Sequence, residues 1–176
     1  TIDGGGCNGI VASTLAVDIA VAKARASSIG IVGLHNTTHV GRLGDFPVRI
    51  ADQGMVGMVL TNVGGVFMSP FGSADRRLPP NPLAMAVPRR DGPPLMLDMT
   101  LSAVAGGKIQ QKKARNEPLP EGWVIDHEGR AVTDAVRFSG DAAEVGMLPL
   151  GGMQLGHKGH GLSMMMEAIV GPLSLA

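Results

Sequence analysis

The stretch "GGGCNG" at residues 4–9, followed by "IVASTLAVDIAVAKARASS" at 10–28, decides which fold the chain is given. Read one way, it is a G-x-G-x-x-G fingerprint opening a helix. Gly4, Gly6 and Gly9 would then let the backbone approach a pyrophosphate at the helix N-terminus. Such a fingerprint needs a strand in front of it and an acidic ribose ligand at the end of the next strand. Here only "TID" precedes the glycines, and the next strand-like segment, "IGIVGL" at 29–34, runs into His35 and Asn36 rather than an acid. The glycines are therefore not read as the nucleotide site, although a Rossmann protein stays among the alternatives.

Outward from that stretch, Ala, Leu and Val on a broad face predict a helix over 10–28, then a strand over 29–34. A shorter helix over 42–54 is expected to begin after Pro47 or to kink there. Buried strands are expected at 55–62, in "PLAMAVP" at 82–88 and in "LMLDM" at 95–99, with "RRDGPP" as the turn between the last two. Residues 63–81 have the Gly, Pro and Ser profile of a functional loop. A helix should begin in "LSAVAGGKIQQKKAR" from residue 101, weakened at its middle by Gly106 and Gly107. "EPLPEGWVIDHEGRAVTD" at 117–134 reads as hairpin-like, and 151–161 as a glycine loop before a Met-rich helix to about residue 170. The expected class is α/β, a mixed sheet with helices.

Composition bounds the function. Four Phe, one Trp and no Tyr leave eleven Met and the aliphatic residues to build the core of this 176-residue chain. A net charge of zero gives no electrostatic grip on nucleic acid or an anionic membrane, so neither partner is expected. The single cysteine, Cys7, fits a reducing compartment, and a cytoplasmic location is expected. The late apolar segment carries Glu167 and Pro172 and is too short to span a bilayer.

Two loops could carry chemistry. "NTTHVG" at 36–41 places His39 among polar and glycine residues, either as an ordinary loop histidine or as a proton-transfer group. "GGMQLGHKGHG" at 151–161 imitates a phosphate loop, but His157 intrudes before Lys158 and Gly159 stands where Ser or Thr would hold Mg²⁺. Triphosphate hydrolysis is therefore not expected, while Lys158 is either a holder of some anionic group or a solvated lysine. His35 with His39, and His157 with His160, have ligand-like spacing without a convincing carboxylate, so no metal is expected.

Six segments taken in order resemble one family, the non-Rossmann NAD(P)-dependent malate/L-lactate dehydrogenase type. "NTTHVG" resembles its N-S-N-H-[FY]-G, and "GMVGMVLTN" its G-[ML]-I-G-[IM]-x-x-T-N. "SPFGSADRRLPPNPLAMAVP" and "LMLDMTLSAVAGGKI" resemble its A-P-[WF]-G-G…N-P-[IL]-A-x-A-x-P and L-D-M-A-T-S-x-V-A-x-G-K-I. "PLPEGWVIDHEGRAVTD" resembles I-P-x-G-W-A-x-D-x-x-G-x-P-T-T-D, and the segment from "LPLGG" resembles the family's closing K-G-Y-G-L motif.

The resemblance implies an oxidoreductase acting on the CH–OH group of a small 2-hydroxy acid, or reducing the 2-keto acid, with NAD or NADP. It implies that His39 hydrogen-bonds the substrate and takes part in proton transfer. It places the nicotinamide-nucleotide contacts on Val63, Asp98, Met99, Thr100, Lys158 and Gly159, and matches the family's N-P dipeptide to Asn81 and Pro82. Residues 1–176 correspond to the family's nucleotide-binding core, with a homodimer expected for the full-length form. The family's flanking segments, including an N-terminal S-H-G motif and an Arg that bind the substrate carboxylate, have no counterpart in these residues. "LPPNP" replaces G-T-N-P, Leu101 follows "DMT" in place of a small polar residue, and His160 replaces an aromatic. A different class of reading, a non-catalytic module holding a nucleotide or a partner subunit, fits the same residues.

Overall fold

The computed structural model describes residues 1–138 and 144–174. The chain forms two compact units, one of Thr1–Thr61, Pro82–Met99 and the end of the chain from Ile169, the other of Asn62–Asn81 and Thr100–Ala168. The expected mixture of strands and helices is present.

The first unit opens with β1 (Ile2–Cys7), α1 (Gly9–Ser27) and β2 (Leu34–Thr37), and β1 pairs with β2 in parallel. Parallel neighbours need a crossover, and α1 supplies it. The helix starts where the Asn8 side chain accepts the Ile10 N–H at 2.9 Å, an N-cap satisfying a donor that has no partner within the helix. It ends at Ser28, in the left-handed conformation with φ 68°. The strand expected at 29–34 begins only at Leu34. A Cβ on Gly30 would lie 2.0 Å from the Ala20 carbonyl oxygen, so the segment lies back against α1. Ile29 and Ile31 are more than two-thirds exposed and gain nothing from strand pairing.

The next helix, α2, spans Asp45–Ala51, shorter than expected at both ends. It neither starts after Pro47 nor needs to kink there. Proline sits in its first turn, where the missing N–H would have had no helical acceptor. β3 (Gly57–Leu60), β4 (Leu83–Val87) and β5 (Leu95–Met99) form an antiparallel sheet in that order. The expected turn "RRDGPP" joins the last two. Val17, Leu43, Phe46 and Ala84 form the core between helices and sheet, with Val59 and Ile50 against it. Alternation leaves Met58, Met85 and Leu97 in one row across the opposite face, with Leu60, Leu83 and Met99 beside them. Met58 and Leu97 stay about half exposed, at 54% and 45%.

The second unit packs around Ile109, Val124, Val145 and Met147, with Phe67 and Trp123 against them. Helix α3 spans Gly106–Ala114, so Gly106 and Gly107 open it rather than weaken its middle. Residues 101–105 are drawn away from helix by a ladder. Ala103 N–H donates to Leu148 O at 2.7 Å, Leu150 N–H donates to Leu101 O at 2.9 Å, and Leu101 is fully buried. The hairpin-like reading of 117–134 agrees with β6 (Val124–Asp126), its Ile125–Ala131 bridge and its antiparallel partner β7 (Val145–Met147). In its turn the Asp126 carboxylate accepts the N–H groups of Glu128 and Arg130, both at 3.0 Å.

The largest departure is at the end of the chain. The glycine loop expected at 151–161 is helical, because α4 runs continuously from Gly152 to Ser174. Gly156, Gly159, Ser163 and Met166 are its buried residues in this unit, at spacings of three and four. A Cβ on Gly159 would meet Leu150 O at 2.3 Å, and one on Gly156 would meet Pro149 Cγ at 2.9 Å. These glycines serve close packing, which outweighs the roughly 1 kcal/mol each costs in a helix.

Candidate active site

His39 lies two residues beyond the end of β2, exposed, on a loop held at both ends. On one side Thr38 N–H donates to Cys7 O at 3.0 Å, and Gly9 N–H donates to Thr38 Oγ1 at 3.3 Å. On the other, Gly44 N–H donates to Asp98 Oδ2 at 2.8 Å, and Val40 packs against the core. Asp98, expected to contact the nucleotide, therefore ties the sheet to the chain segment that follows His39. Arg42, three residues after His39, is ion-paired with Asp45 at 2.6 Å.

The helix N-terminus behind "GGGCNG" has little left to offer a pyrophosphate. Gly9 N–H is taken by Thr38, Ile10 N–H by the Asn8 side chain, and Val11 and Ala12 N–H by Asn8 O. Gly4 and Gly6 lie within β1 and Gly9 opens α1, whereas the dinucleotide fingerprint requires its glycines after a strand.

Of the expected nucleotide contacts, His39's companions Asp98 and Met99 belong to the first unit; Val63, Thr100, Lys158 and Gly159 belong to the second. Thr100 donates its hydroxyl to Pro80 O at 2.8 Å and lies 2.9 Å from Ser102 Oγ. Lys158 is exposed in the second turn of α4, and no hydrogen bond or ion pair engages it among the described residues. Gly159 lies within α4 and is buried, so its N–H is not the loop donor that was expected.

Val63 brings in residues that sequence reasoning did not place in the site. Its N–H donates to Asn81 Oδ1 at 2.9 Å, and Asn81 Nδ2–H donates to Glu167 Oε2 at 2.7 Å. The same oxygen accepts Asn62 Nδ2–H at 3.1 Å. Asn81 is fully buried. The two Asn-bearing dipeptides thus clamp the start of the 63–81 loop to the helix that carries Lys158. The signal in the sequence was the pair of dipeptides T-N and N-P; nothing there pointed to Glu167. The same loop meets α4 again where Phe71 N–H donates to His160 Nδ1 at 3.2 Å and the Phe71 ring stands edge-on to His157 at 5.7 Å. Neither histidine pair belongs to a group of three metal-binding side chains among the described residues, and no helix among them is long and apolar enough to cross a membrane.

These two α/β units match a solved dehydrogenase closely. The crystal structure of malate dehydrogenase from Entamoeba histolytica superposes with a TM-score of 0.92 at 26% identity, covering 99% of this chain and 49% of that one. By sequence, the chain is 38% identical to a malate dehydrogenase of Pyrococcus abyssi over 178 residues, 98% of this chain and 47% of that protein. It is 37% identical to a (2R)-3-sulfolactate dehydrogenase (NADP(+)) of Chromohalobacter salexigens over 159 residues, 90% of this chain and 45% of that protein. Residues 1–176 match the malate/L-lactate dehydrogenase family throughout, and the chain belongs to that family. It spans about half the length of the curated relatives it matches.

Proposed function

We propose that the chain is the part of an NAD(P)-dependent 2-hydroxy-acid dehydrogenase that carries its proton relay and its nucleotide contacts. The observation that carries this reading is the family match along all 176 residues. The relatives are named for malate and sulfolactate, and each of those compounds bears a carboxylate next to a carbinol carbon. A 2-hydroxy acid loses its hydroxyl proton and the hydride on the same carbon together.

In this reading His39 takes the hydroxyl proton on a free imidazole nitrogen, and returns it in the reductive direction. An imidazole titrates close enough to neutrality to serve both ways. Its exposure and its anchored backbone support the role. A nicotinamide dinucleotide, when bound, supplies the hydride acceptor or donor. The chain's donor set suits such a polyanion, because Lys158 presents an ammonium that nothing else among the described residues occupies. Val63, Asp98, Met99, Thr100 and Gly159 stay among the proposed nucleotide contacts on the strength of the family resemblance alone, since Val63 N–H and the side chains of Asp98 and Thr100 are engaged and Gly159 is buried within α4. Arg42 is committed to Asp45, so the cation opposite the substrate carboxylate is proposed to come from outside these residues. The half-exposed apolar face of the sheet supports association of the full-length form as a homodimer. The exposed free thiol of Cys7 supports a reducing, cytoplasmic setting.

The test is turnover of malate, lactate and sulfolactate by the full-length protein and its His39→Ala variant. The variant should lose about 10²–10⁴-fold in kcat, the usual weight of one general acid–base group, with NAD(P)H affinity nearly intact. Full turnover by the variant would show that His39 is a loop residue. The 176-residue chain on its own should bind nucleotide weakly and turn over none of these acids.

A further inference from the structure

With the nucleotide reading set aside, the glycine run at 4–9 has no function, yet its geometry is specific. From Asp3 to Cys7 β1 advances four residues, while its partner β2 advances two, from His35 to Thr37. Gly5 and Gly6 absorb the surplus at φ 58° and 75°, conformations that side-chain-bearing residues rarely adopt. Asp3 holds the bulge in place. Its carboxylate accepts Gly5 N–H at 2.9 Å and Asn36 Nδ2–H at 2.8 Å, and these bonds keep the carboxyl below the usual carboxylate range. The bulge brings Cys7 O into register to accept Thr38 N–H, and the chain then turns so that Gly9 N–H reaches Thr38 Oγ1. A Cβ on Gly9 would lie 2.2 Å from Thr38 O and 2.8 Å from His39 O. The backbone of His39 therefore rests on the first residue of α1 at a distance that only glycine allows.

We propose that Gly9 and Thr38 are positioning residues for His39, and that the glycine run exists to seat the proton relay rather than to bind a nucleotide. The inference rests on the reading of His39 as that relay. A proton-transfer group acts only within hydrogen-bond reach of the substrate hydroxyl, and a misplacement of about 1 Å can cost about a hundredfold in rate. Gly9 fixes how near the loop can approach the helix. The Thr38 hydroxyl fixes where along the helix end it docks, and it does so from an exposed position whose side chain carries no core packing.

The experiment compares Thr38→Val, Thr38→Ser, Gly9→Ala and His39→Ala in the full-length protein. Thr38→Val keeps the shape and loses the acceptor. It should lower kcat about tenfold, with cofactor Kd and melting temperature nearly unchanged. Thr38→Ser, which keeps the hydroxyl, should restore kcat, and Gly9→Ala should repeat the loss wherever circular dichroism shows it folded. The Cε1–H resonance of His39 should move in the valine variant and not in the serine one, a readout independent of turnover. Wild-type kcat and an unmoved His39 resonance in Thr38→Val, beside an inactive His39→Ala, would overturn the positioning inference and leave the relay standing. Wild-type turnover by His39→Ala would overturn the relay, and the seat proposed for it.

Discussion

Removing the Asn81 side chain should unfasten the 63–81 loop from α4, and the size of the effect can be worked from the structure. Asn81 is fully buried and makes two side-chain hydrogen bonds, accepting from Val63 N–H and donating to the Glu167 carboxylate. The first is a neutral bond worth about 1 kcal/mol, the second a bond to a carboxylate worth about 1.5–3 kcal/mol. Val63 and Glu167 are half-buried, so water recovers part of what is lost. Asn81→Ala should therefore cost about 2–3 kcal/mol. Glu167→Gln should cost about 1 kcal/mol or less, since a glutamine oxygen still accepts from both Asn62 and Asn81. Asn81→Asp should be worse than alanine, because it sets a second carboxylate against Glu167 at a buried position. Trp123, the sole tryptophan, packs against the core of the same unit and reports its unfolding by fluorescence. With a urea slope of about 2 kcal/mol per molar, Asn81→Ala should move the midpoint by about 1–1.5 M. A shift of the alanine variant below about 0.2 M, or an aspartate variant as stable as wild type, would refute the clamp.

Three further outcomes are expected. Lys158→Ala should weaken NADH or NADPH binding by about 1–3 kcal/mol, read from nucleotide fluorescence, while Gly4→Ala should leave affinity nearly intact in a folded protein; the reverse ranking would restore the nucleotide to the N-terminal glycines. The Asp3 carboxyl is held below its ordinary value of 3.8 by Gly5 N–H and then by Asn36, so its stabilising effect is present above that value and fades as pH falls through the lowered one. The stability difference between wild type and Asp3→Asn should accordingly shrink as pH drops from about 5 toward 2, and a constant difference would mean that Asp3 does not titrate with the fold. Replacing Met58 and Leu97 by threonine should reduce self-association of the 176-residue chain in sizing experiments, because both are half-exposed apolar residues on one face of the sheet; unchanged elution across concentrations would exclude that face.

What the sequence disclosed depended on whether local and tertiary preferences agreed. "PLAMAVP" and "LMLDM" are short, nearly continuous apolar runs with turn residues between them, and the antiparallel pairing of β4 with β5 follows them closely. In "GGMQLGHKGHG" the two disagreed. Local propensity there says loop, while Gly156 and Gly159 are wanted by Pro149 and Leu150 for their lack of a side chain. No pattern within eleven residues encodes those neighbours. "IGIVGL" failed in the opposite sense, since its apolar residues imply burial and Ile29 and Ile31 find none in this chain. Among the residues proposed for the site, His39 and Lys158 stand out in the sequence because family motifs and residue chemistry coincide on them. Glu167 was invisible, because its partners Asn62 and Asn81 lie 105 and 86 positions away.

The turn between β4 and β5 gives the chain a point of entry for manipulation. Residues 88–94 are exposed or half-buried and carry Arg89 and Arg90 at the tip, while five residue pairs hold the strands on either side. Brief trypsin treatment should nick the chain there and leave the two fragments associated, since the ladder does not depend on the peptide bonds that close it. By the same reasoning a peptide tag or a small inserted domain can be spliced at Asp91 with little penalty, because lengthening a surface connection costs only about 0.6 kcal/mol per doubling.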